Sequence, residues 1–195
     1  MTTLRNRVVV LIDGQNLYHL AREAWGQGYH WPKYDPLKLS RELVALQRGR
    51  ELSRVFFYSG VPSPRQNVGW HRFWTAKMRR MRAQGIRVFR GRILNGREKG
   101  VDIRMALDLV RLTRERHYET AIIVSQDSDL NEALREAVAI ARSQERWITL
   151  ESAHPLHPEP GNTGRGLRPA VFRGIDRAMY DRCVDPTDYR SGQIS

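Results

Sequence analysis

The chain has 195 residues and a formal net charge of +12, from 33 Lys or Arg against 21 Asp or Glu. This length, with 41% hydrophobic residues, predicts one folded domain with a substantial core and excludes a disordered chain. The longest apolar run covers only residues 8–12, and the N-terminus has no apolar signal segment. We therefore expect a cytoplasmic protein without a membrane partner, while the oligomeric state stays open. The single cysteine, Cys183, excludes an internal disulfide and a cysteine-rich zinc site.

Strand and helix signals alternate along the chain. Apolar and β-branched runs predict strands at residues 8–12, 55–58, 86–89, 120–124 and 146–150. Helical spacing of apolar residues predicts helices at residues 16–25, from 36 to about 46, and at 66–83, 101–114, 128–142 and 175–184. This alternation favours an open α/β sheet with right-handed crossovers.

Several segments lack such periodicity. Residues 60–64 predict a turn-rich loop, and the basic residues 90–97 predict a short hairpin or an extended excursion. Residues 154–169 are rich in Pro, Gly and His and predict a flexible loop that could close over a substrate. His154 and His157 lie three residues apart, but a zinc site there is disfavoured because no cysteine or third clear ligand accompanies them.

The positive charge comes almost entirely from arginine. Only four of the 33 basic residues are lysines, at positions 33, 38, 77 and 99. Arginine donates in a planar, bidentate geometry to phosphate and keeps its charge at any working pH. The excess therefore favours a nucleic-acid partner over a membrane surface, although a solvated arginine face is the alternative.

Acidic residues stand where apolar segments begin or end. Asp13 follows the first predicted strand, Asp127 and Asp129 follow the fourth, and Asp102 begins a predicted helix after Gly100. Ligands of open α/β sheets bind at the carboxyl ends of the strands. Carboxylates gathered there would repel one another unless they were protonated or bridged by a hard cation such as Mg²⁺ or Mn²⁺.

Each acid also has a local interpretation. Asp13 and Asp127 could cap the helices that follow them by accepting backbone N–H bonds. Asp102 could be a favourable charge in a first helical turn. The coincidence of three such sites near strand ends favours a shared functional site over three separate caps.

Three motifs together resemble the NYN branch of the PIN-like nucleases. Residues 11–17 have the sequence Leu-Ile-Asp-Gly-Gln-Asn-Leu, residues 99–102 have Lys-Gly-Val-Asp, and residues 124–130 have Val-Ser-Gln-Asp-Ser-Asp-Leu. Their order and separation also fit, over about residues 7–150. The resemblance implies a three-layer α/β/α sandwich around a mainly parallel, Rossmann-like sheet, and a metal-dependent ribonuclease. It places all 195 residues in one PIN-like domain, with residues 151–195 as a loop and a C-terminal packing segment.

The same resemblance implies roles for individual residues. The catalytic and metal-binding acids would be Asp13, Asp102, Asp127 and Asp129, holding Mg²⁺ or Mn²⁺. Asn16 would orient Asp13 or bind substrate, and Ser125 would support the metal site and the substrate. The products would carry a 5′-phosphate and a 3′-hydroxyl.

Basic residues around the second motif are candidates for holding substrate phosphates. They precede or enter the helix that carries Asp102, and they are Arg92, Arg97, Lys99 and Arg104. A solvated loop is the alternative interpretation of the same residues.

The sequence thus predicts an endonucleolytic ribonuclease acting on single-stranded or structured RNA. Two departures from the family pattern are Gln126, where relatives commonly have Gly, and Leu130, where they have an aromatic residue. Gln126 and the basic excess motivate an alternative, an RNA-binding regulator with a degenerate site. A phosphoesterase with Asp13 as covalent nucleophile is disfavoured because no acid follows two residues later.

Overall fold

A central sheet organises the protein. The computed structural model describes residues 6–26, 31–94, 96–159 and 166–190. The strands are β1 (Asn6–Asp13), β2 (Arg50–Val61), β3 (Arg87–Leu94), β4 (Arg97–Lys99), β5 (Thr120–Val124), β6 (Thr149–Pro155) and β7 (Val171–Ile175). Within these residues they form one seven-stranded sheet of order β4-β3-β2-β1-β5-β6-β7. Every neighbouring pair is parallel except β3 and β4, which are antiparallel.

Helices cover both faces of this sheet. They are α1 (Gly14–Trp25), α2 (Pro36–Ala45), α3 (Val68–Ala83), α4 (Val101–Arg114), α5 (Asn131–Ser143) and α6 (Arg177–Arg182), with a 3₁₀ turn at Ser128–Leu130. Their arrangement confirms the predicted α/β/α architecture with a mainly parallel sheet. In the described parts of the chain, no helix has the length and apolar character that crossing a membrane requires.

The central strand β1 contributes to two cores. Val8, Val10 and Ile12 pack with α1, α2 and α3 on one face, while Val9 and Leu11 pack with α4 and α5 on the other. All five side chains are fully buried. Because successive side chains of a strand point to opposite faces, only a continuous apolar run satisfies a strand covered on both sides. Burying each of these side chains stabilises the fold by about 1.5–3 kcal/mol.

Strand registers bring the predicted acidic sites to one edge of the sheet. Ile12 of β1 pairs with Val124 of β5, so both strands end at the same level. β2 continues further, since its pairing with β1 stops at Tyr58 but the strand runs to Val61. This leaves a gap beyond the end of β1, bordered by the extension of β2 and by the segment that follows β5.

The last part of the sheet corrects the sequence prediction. The strand predicted at residues 146–150 is present but was placed too early, because β6 covers Thr149–Pro155 and Trp147 is 90% exposed. Because β6 contains polar residues, its sequence lacks the apolar pattern of a buried strand. Glu151 is nevertheless fully buried and forms ion pairs with Arg50 at 2.7 Å and with Arg173 at 2.6 Å. The strand β7 was not predicted at all.

Further corrections concern element ends. His154 lies in β6 rather than in a loop, and its buried ring lies 4.5 Å from the ring of Phe172. The C-terminal helix covers Arg177–Arg182 rather than residues 175–184, and α2 ends at Ala45, so that Leu46 at the end of the predicted helix is 51% exposed. Of the flexible loop predicted at residues 154–169, residues 160–165 lie outside the described residues, as do residues 191–195 of the C-terminal segment.

A buried lysine joins the C-terminal segment to the core. Lys77 of α3 donates to the carbonyl of Tyr34 at 2.8 Å and lies 3.7 Å from the carboxylate of Asp185. Burial lowers the pKa of Lys77 to about 8, although Asp185 opposes that shift. The hydroxyl of Tyr34 in turn donates to the carbonyl of Gly14 at 3.0 Å. These contacts link Asp185, through Lys77 and Tyr34, to the backbone of Gly14, the residue that follows Asp13.

We expect Lys77→Ala to lower the free energy of unfolding by about 2–4 kcal/mol, because it opens a cavity and leaves Asp185 without its cation. Urea denaturation measures this change. Arg79→Ala, an exposed site on the same helix, is the matched control and should change stability by about 0.5 kcal/mol or less. Equal effects of the two substitutions would contradict a supporting role for the buried lysine.

Candidate functional site

An acidic cleft occupies the carboxyl edge of the sheet. Its volume is about 320 Å³, and its walls come from the ends of β1 and β5, from α1, from the start of α4 and from the β3–β4 connection. The residues that line it are Asp13, Gln15, Asn16, His19, Ile93, Gly96, Glu98, Asp102 and Asp127. Four of these are carboxylic acids, and no Lys or Arg within the described residues lines the cleft. A chain of net charge +12 therefore encloses a concentrated negative charge.

Asp13 is the most buried of these acids. It ends β1 and caps α1, where its carboxylate accepts a hydrogen bond from the backbone N–H of Asn16 at 2.9 Å. The side chain is only 3% exposed. Burial, followed by the charges of Glu98, Asp102 and Asp127, raises the pKa of Asp13 to about 8, although the bond from Asn16 opposes this shift. The local capping interpretation is correct for Asp13, and the same residue also faces the cleft.

Asn16 and Ser125 hold the segment that carries Asp127. The side-chain oxygen of Asn16 accepts from the backbone N–H of Gln126 at 3.1 Å, and the hydroxyl of Ser125 accepts from the N–H of Asp127 at 3.1 Å. Asp127 itself accepts from the N–H of Asp129 at 3.0 Å. Ser125 is only 1% exposed, so its position favours support of Asp127 over contact with a substrate.

Asp102 and Asp129 occupy different depths. Asp102 lies half-buried in the first turn of α4, after Gly100, which has a left-handed φ of 80°. Burial and the charges of Asp127 and Asp129 raise the pKa of Asp102. Asp129 is exposed and does not line the cleft, although its charge reaches Asp102. The structure thus brings three of the four predicted acids into the cleft and leaves the fourth at its border.

Glu98 is an acid of the cleft that sequence reasoning missed. It lies in the middle of β4, and one oxygen accepts a hydrogen bond from the backbone N–H of Gly60. Gly60 lies two residues beyond Tyr58, where the pairing of β2 with β1 stops. Burial and the charge of Asp102 raise the pKa of Glu98 to about 7, against the opposing effect of the Gly60 bond. Its position next to the Lys99–Asp102 motif was the available signal.

Glycine allows this approach of β4 to β2. A Cβ atom on Gly60 would stand 2.7 Å from both Oε1 of Glu98 and Cδ1 of Ile93. Its strand partner Gly91 has the same requirement, because a Cβ there would stand 2.6 Å from Val101 at the start of α4. The two glycines therefore let the hairpin and α4 close one side of the cleft.

The predicted phosphate-binding residues lie elsewhere. In the β3–β4 register Arg92 pairs with Lys99 and Arg97 pairs with Leu94, whereas the cleft residues Ile93 and Glu98 pair with each other. Because side chains alternate between the faces of a strand, the basic residues lie on the opposite face of the hairpin from the cleft.

Arg104 also points away from the cleft. Its guanidinium forms an ion pair with Asp108 at 3.0 Å and lies 5.7 Å from the ring centre of Phe89. None of the four basic candidates lines the cleft, and their role in holding substrate phosphates stays a prediction.

The cleft suits a hard divalent cation by charge and by donor type. Among the described residues of the lining no Lys or Arg compensates these carboxylates, and oxygen donors are those that Mg²⁺ and Mn²⁺ prefer. Within the described residues, however, no three His, Cys, Asp or Glu side chains are close enough to form a ready-made metal site. Mg²⁺ usually retains several waters and uses one or two carboxylates, so the donor set fits such a hydrated ion.

Comparisons with known proteins bear on the family and the fold of the chain. The family model described as the NYN domain matches residues 7–158. A solved structure of a protein of unknown function from Vibrio parahaemolyticus RIMD 2210633 is similar in fold, with a TM-score of 0.55 at 20% identity, covering 91% of this chain and 98% of that chain. The comparison with curated proteins gives no match.

Asp13→Asn should stabilise the metal-free protein at pH 8 by on the order of 2 kcal/mol. A raised pKa means that the folded state holds the Asp13 proton more tightly, so this contribution to stability is present below about pH 4 and is lost as the pH rises towards 8. The variant keeps an oxygen that can accept from Asn16 but carries no charge.

Thermal unfolding at several pH values in the presence of chelator measures this effect. Between pH 5 and pH 8 the wild type should lose more stability than Asp13→Asn does. Added Mn²⁺ should then raise the melting temperature of the wild type more than that of the variant. A variant that is less stable at pH 8, with an unchanged pH dependence, would show that the cleft imposes no charge repulsion.

Gly60→Ala should lower the free energy of unfolding by about 1–2 kcal/mol, because the added methyl group displaces Glu98 and Ile93 and breaks the Glu98 hydrogen bond. Gly69→Ala is the matched control: it lies in α3, where the nearest atom to an added Cβ is 3.5 Å away. The control should be neutral or stabilising by up to about 1 kcal/mol. Denaturant titration of both variants decides, and a neutral Gly60→Ala would refute the close fit of the hairpin.

Proposed function

The chain belongs to the NYN domain family, and on that premise we propose that it is a metal-dependent ribonuclease that hydrolyses phosphodiester bonds within RNA. The family has a PIN-like, nuclease-type fold. The observation that carries the proposal is the cleft that Asp13, Glu98, Asp102 and Asp127 line together, with no Lys or Arg among its described lining residues. Such a collection of like charges is costly, and perturbed carboxylates in a cleft are characteristic of functional sites.

In this proposal Asp13, Asp102 and Asp127 hold Mg²⁺ or Mn²⁺, with Asp129 and Glu98 contributing through bound water. When bound, the cation supplies Lewis-acid stabilisation of the phosphate charge and lowers the pKa of a water molecule. The NYN family assignment and the oxygen-rich donor set support this role.

Neighbouring residues position the acids and accept the proton from water. The N–H of Asn16 fixes Asp13, and the hydroxyl of Ser125 together with the side chain of Asn16 fixes the Asp127 segment. Gly60 holds one oxygen of Glu98. The other oxygen would accept a proton from the attacking water, because a carboxyl with a pKa of about 7 exchanges protons readily at neutral pH.

RNA is the proposed substrate because the arginine-rich exterior attracts phosphate. Within the proposal, residues 1–195 act as one NYN domain in the cytoplasm, with the C-terminal segment packed on α3. No side-chain nucleophile is needed, since water attacks the phosphorus directly. The bond from phosphorus to the 3′-oxygen breaks, and that oxygen takes a proton from solvent to leave as a 3′-hydroxyl.

A second candidate is an RNA-binding regulator whose cleft no longer catalyses hydrolysis. Two features favour it: the carboxylates do not form a three-residue group at ligand distance, and Gln126 replaces the family's usual glycine. Salt-sensitive RNA binding without hydrolysis in Mg²⁺ or Mn²⁺ would select this candidate.

Asp127→Asn tests the nuclease proposal, because it keeps an acceptor for the N–H of Asp129 but removes one charge from the cleft. With labelled single-stranded and structured RNA in Mn²⁺, we expect cleavage to fall by about 100-fold or more. Chelator should abolish wild-type cleavage. Glu136→Gln, an exposed acid on α5, removes the same charge and should cleave like the wild type.

Cleavage that persists in chelator and is unaffected by Asp127→Asn would remove the proposed mechanism. Melting temperatures of the three proteins are measured in parallel, so that a loss of cleavage can be separated from a loss of folded protein.

A further inference from the structure

The β3–β4 hairpin, residues 87–94 and 96–99, separates two surfaces of opposite charge. Its inner face carries Ile93 and Glu98, which line the acidic cleft. Its outer face carries Arg90 and Arg92 of β3, with the cross-strand neighbour Lys99 beside Arg92. The alternation of side chains along β3 fixes this division, since Gly91 between the two arginines faces α4.

A groove of about 550 Å³ lies along the outer face. Residues 90–94 form one wall, and the other is formed by the end of β2 at Val61 and by Ser63, Pro64 and Gln66 of the β2–α3 loop. The side-chain amide of Gln66 donates to the carbonyl of Ile93 at 3.0 Å, which ties the loop to the hairpin. The volume lies within the range of small-ligand sites and is large enough for a nucleotide. Ile93 borders both cavities, so the groove adjoins the acidic cleft.

The composition of this groove is opposite to that of the cleft. Arg90 and Arg92 are exposed, and no acidic residue within the described chain lines the groove. Arg90 contacts the ring nitrogen of His71 at 3.3 Å. Because a histidine ring carries no negative charge, this contact does not neutralise the guanidinium. Leu94 is 52% exposed at the end of the groove and offers an apolar surface next to the two cations. Cations beside an apolar surface match a phosphate followed by an unstacked base.

We propose that the outer groove binds the single-stranded RNA segment that flanks the scissile phosphate. Arg90 and Arg92 hold backbone phosphates, and an unpaired base lies against Leu94 and Pro64. The RNA then passes over the hairpin at Ile93, so that its next phosphate lies in the acidic cleft. A duplex is a poor occupant, because its bases are stacked and paired and offer no free face. This inference rests on the proposed function, since it takes RNA as the substrate.

The test measures binding rather than cleavage. Full-length protein carrying Asp127→Asn is titrated into a fluorescein-labelled single-stranded RNA of about 12 nucleotides in chelator, at several salt concentrations, and anisotropy gives the affinity. Adding Arg90→Gln with Arg92→Gln should weaken binding by about tenfold and reduce the salt slope by about 1.4, since each phosphate contact on a single strand contributes about 0.7.

The matched control adds Arg48→Gln with Arg142→Gln, which removes the same two charges at exposed sites away from the groove. We expect a loss of less than about twofold and an unchanged salt slope. A further variant, Leu94→Ser, should weaken binding of the single strand by about threefold and leave binding of a duplex of the same sequence unchanged.

Equal losses in the two double variants, or tighter binding of the duplex than of the single strand, would overturn the groove proposal. Because the assay uses a cleavage-deficient protein without metal, its outcome is independent of hydrolysis. Absence of cleavage by the wild type would therefore count against the nuclease function alone, and loss of the groove effect with intact cleavage would count against the groove alone.

Discussion

Repulsion among carboxylates that share a partly buried cleft is the constraint on which the site depends. Asp13 and Glu98 have pKa values raised to about 8 and about 7, because burial removes water and neighbouring acids add like charge. The fold imposes this proximity through strand ends, a helix start and a hairpin, while two apolar cores stabilise the sheet beneath it. The divalent cation that we propose for this cleft would neutralise an arrangement that is unfavourable by itself.

The hairpin gives the protein two adjacent surfaces with opposite charge. Under the proposed ribonuclease function, the acidic cleft alone would repel RNA, and the arginine surface alone would bind RNA without positioning a phosphate for attack. Alternation along β3 and β4 solves both problems at once, since Glu98 faces inward and Arg92 faces outward. The approach of the hairpin depends on Gly60 and Gly91, where any side chain would contact Glu98 or Val101. The absence of a side chain at these two positions thus allows the hairpin to pack where it separates the two charged surfaces.

Features that depend on local sequence patterns could be predicted, whereas features that depend on contacts between distant segments could not. Asp13 and Asp127 follow continuous apolar strands, so their common edge could be inferred from sequence. Glu98 could not, because its place depends on β2 continuing past the end of β1 and on a hairpin folding back to meet it. The strand β6 was misplaced for a similar reason: Glu151 is polar in sequence, yet a distant partner, Arg50, makes it a fully buried residue.

Anomalous scattering from crystals soaked in Mn²⁺ tests the central claim most directly, because it locates the cation without reference to activity. The account predicts an anomalous peak in the cleft, within ligand or water-bridged distance of Asp13, Asp102 and Asp127. A fully occupied soak with no peak in the cleft, or with Mn²⁺ bound only elsewhere on the surface, would contradict it.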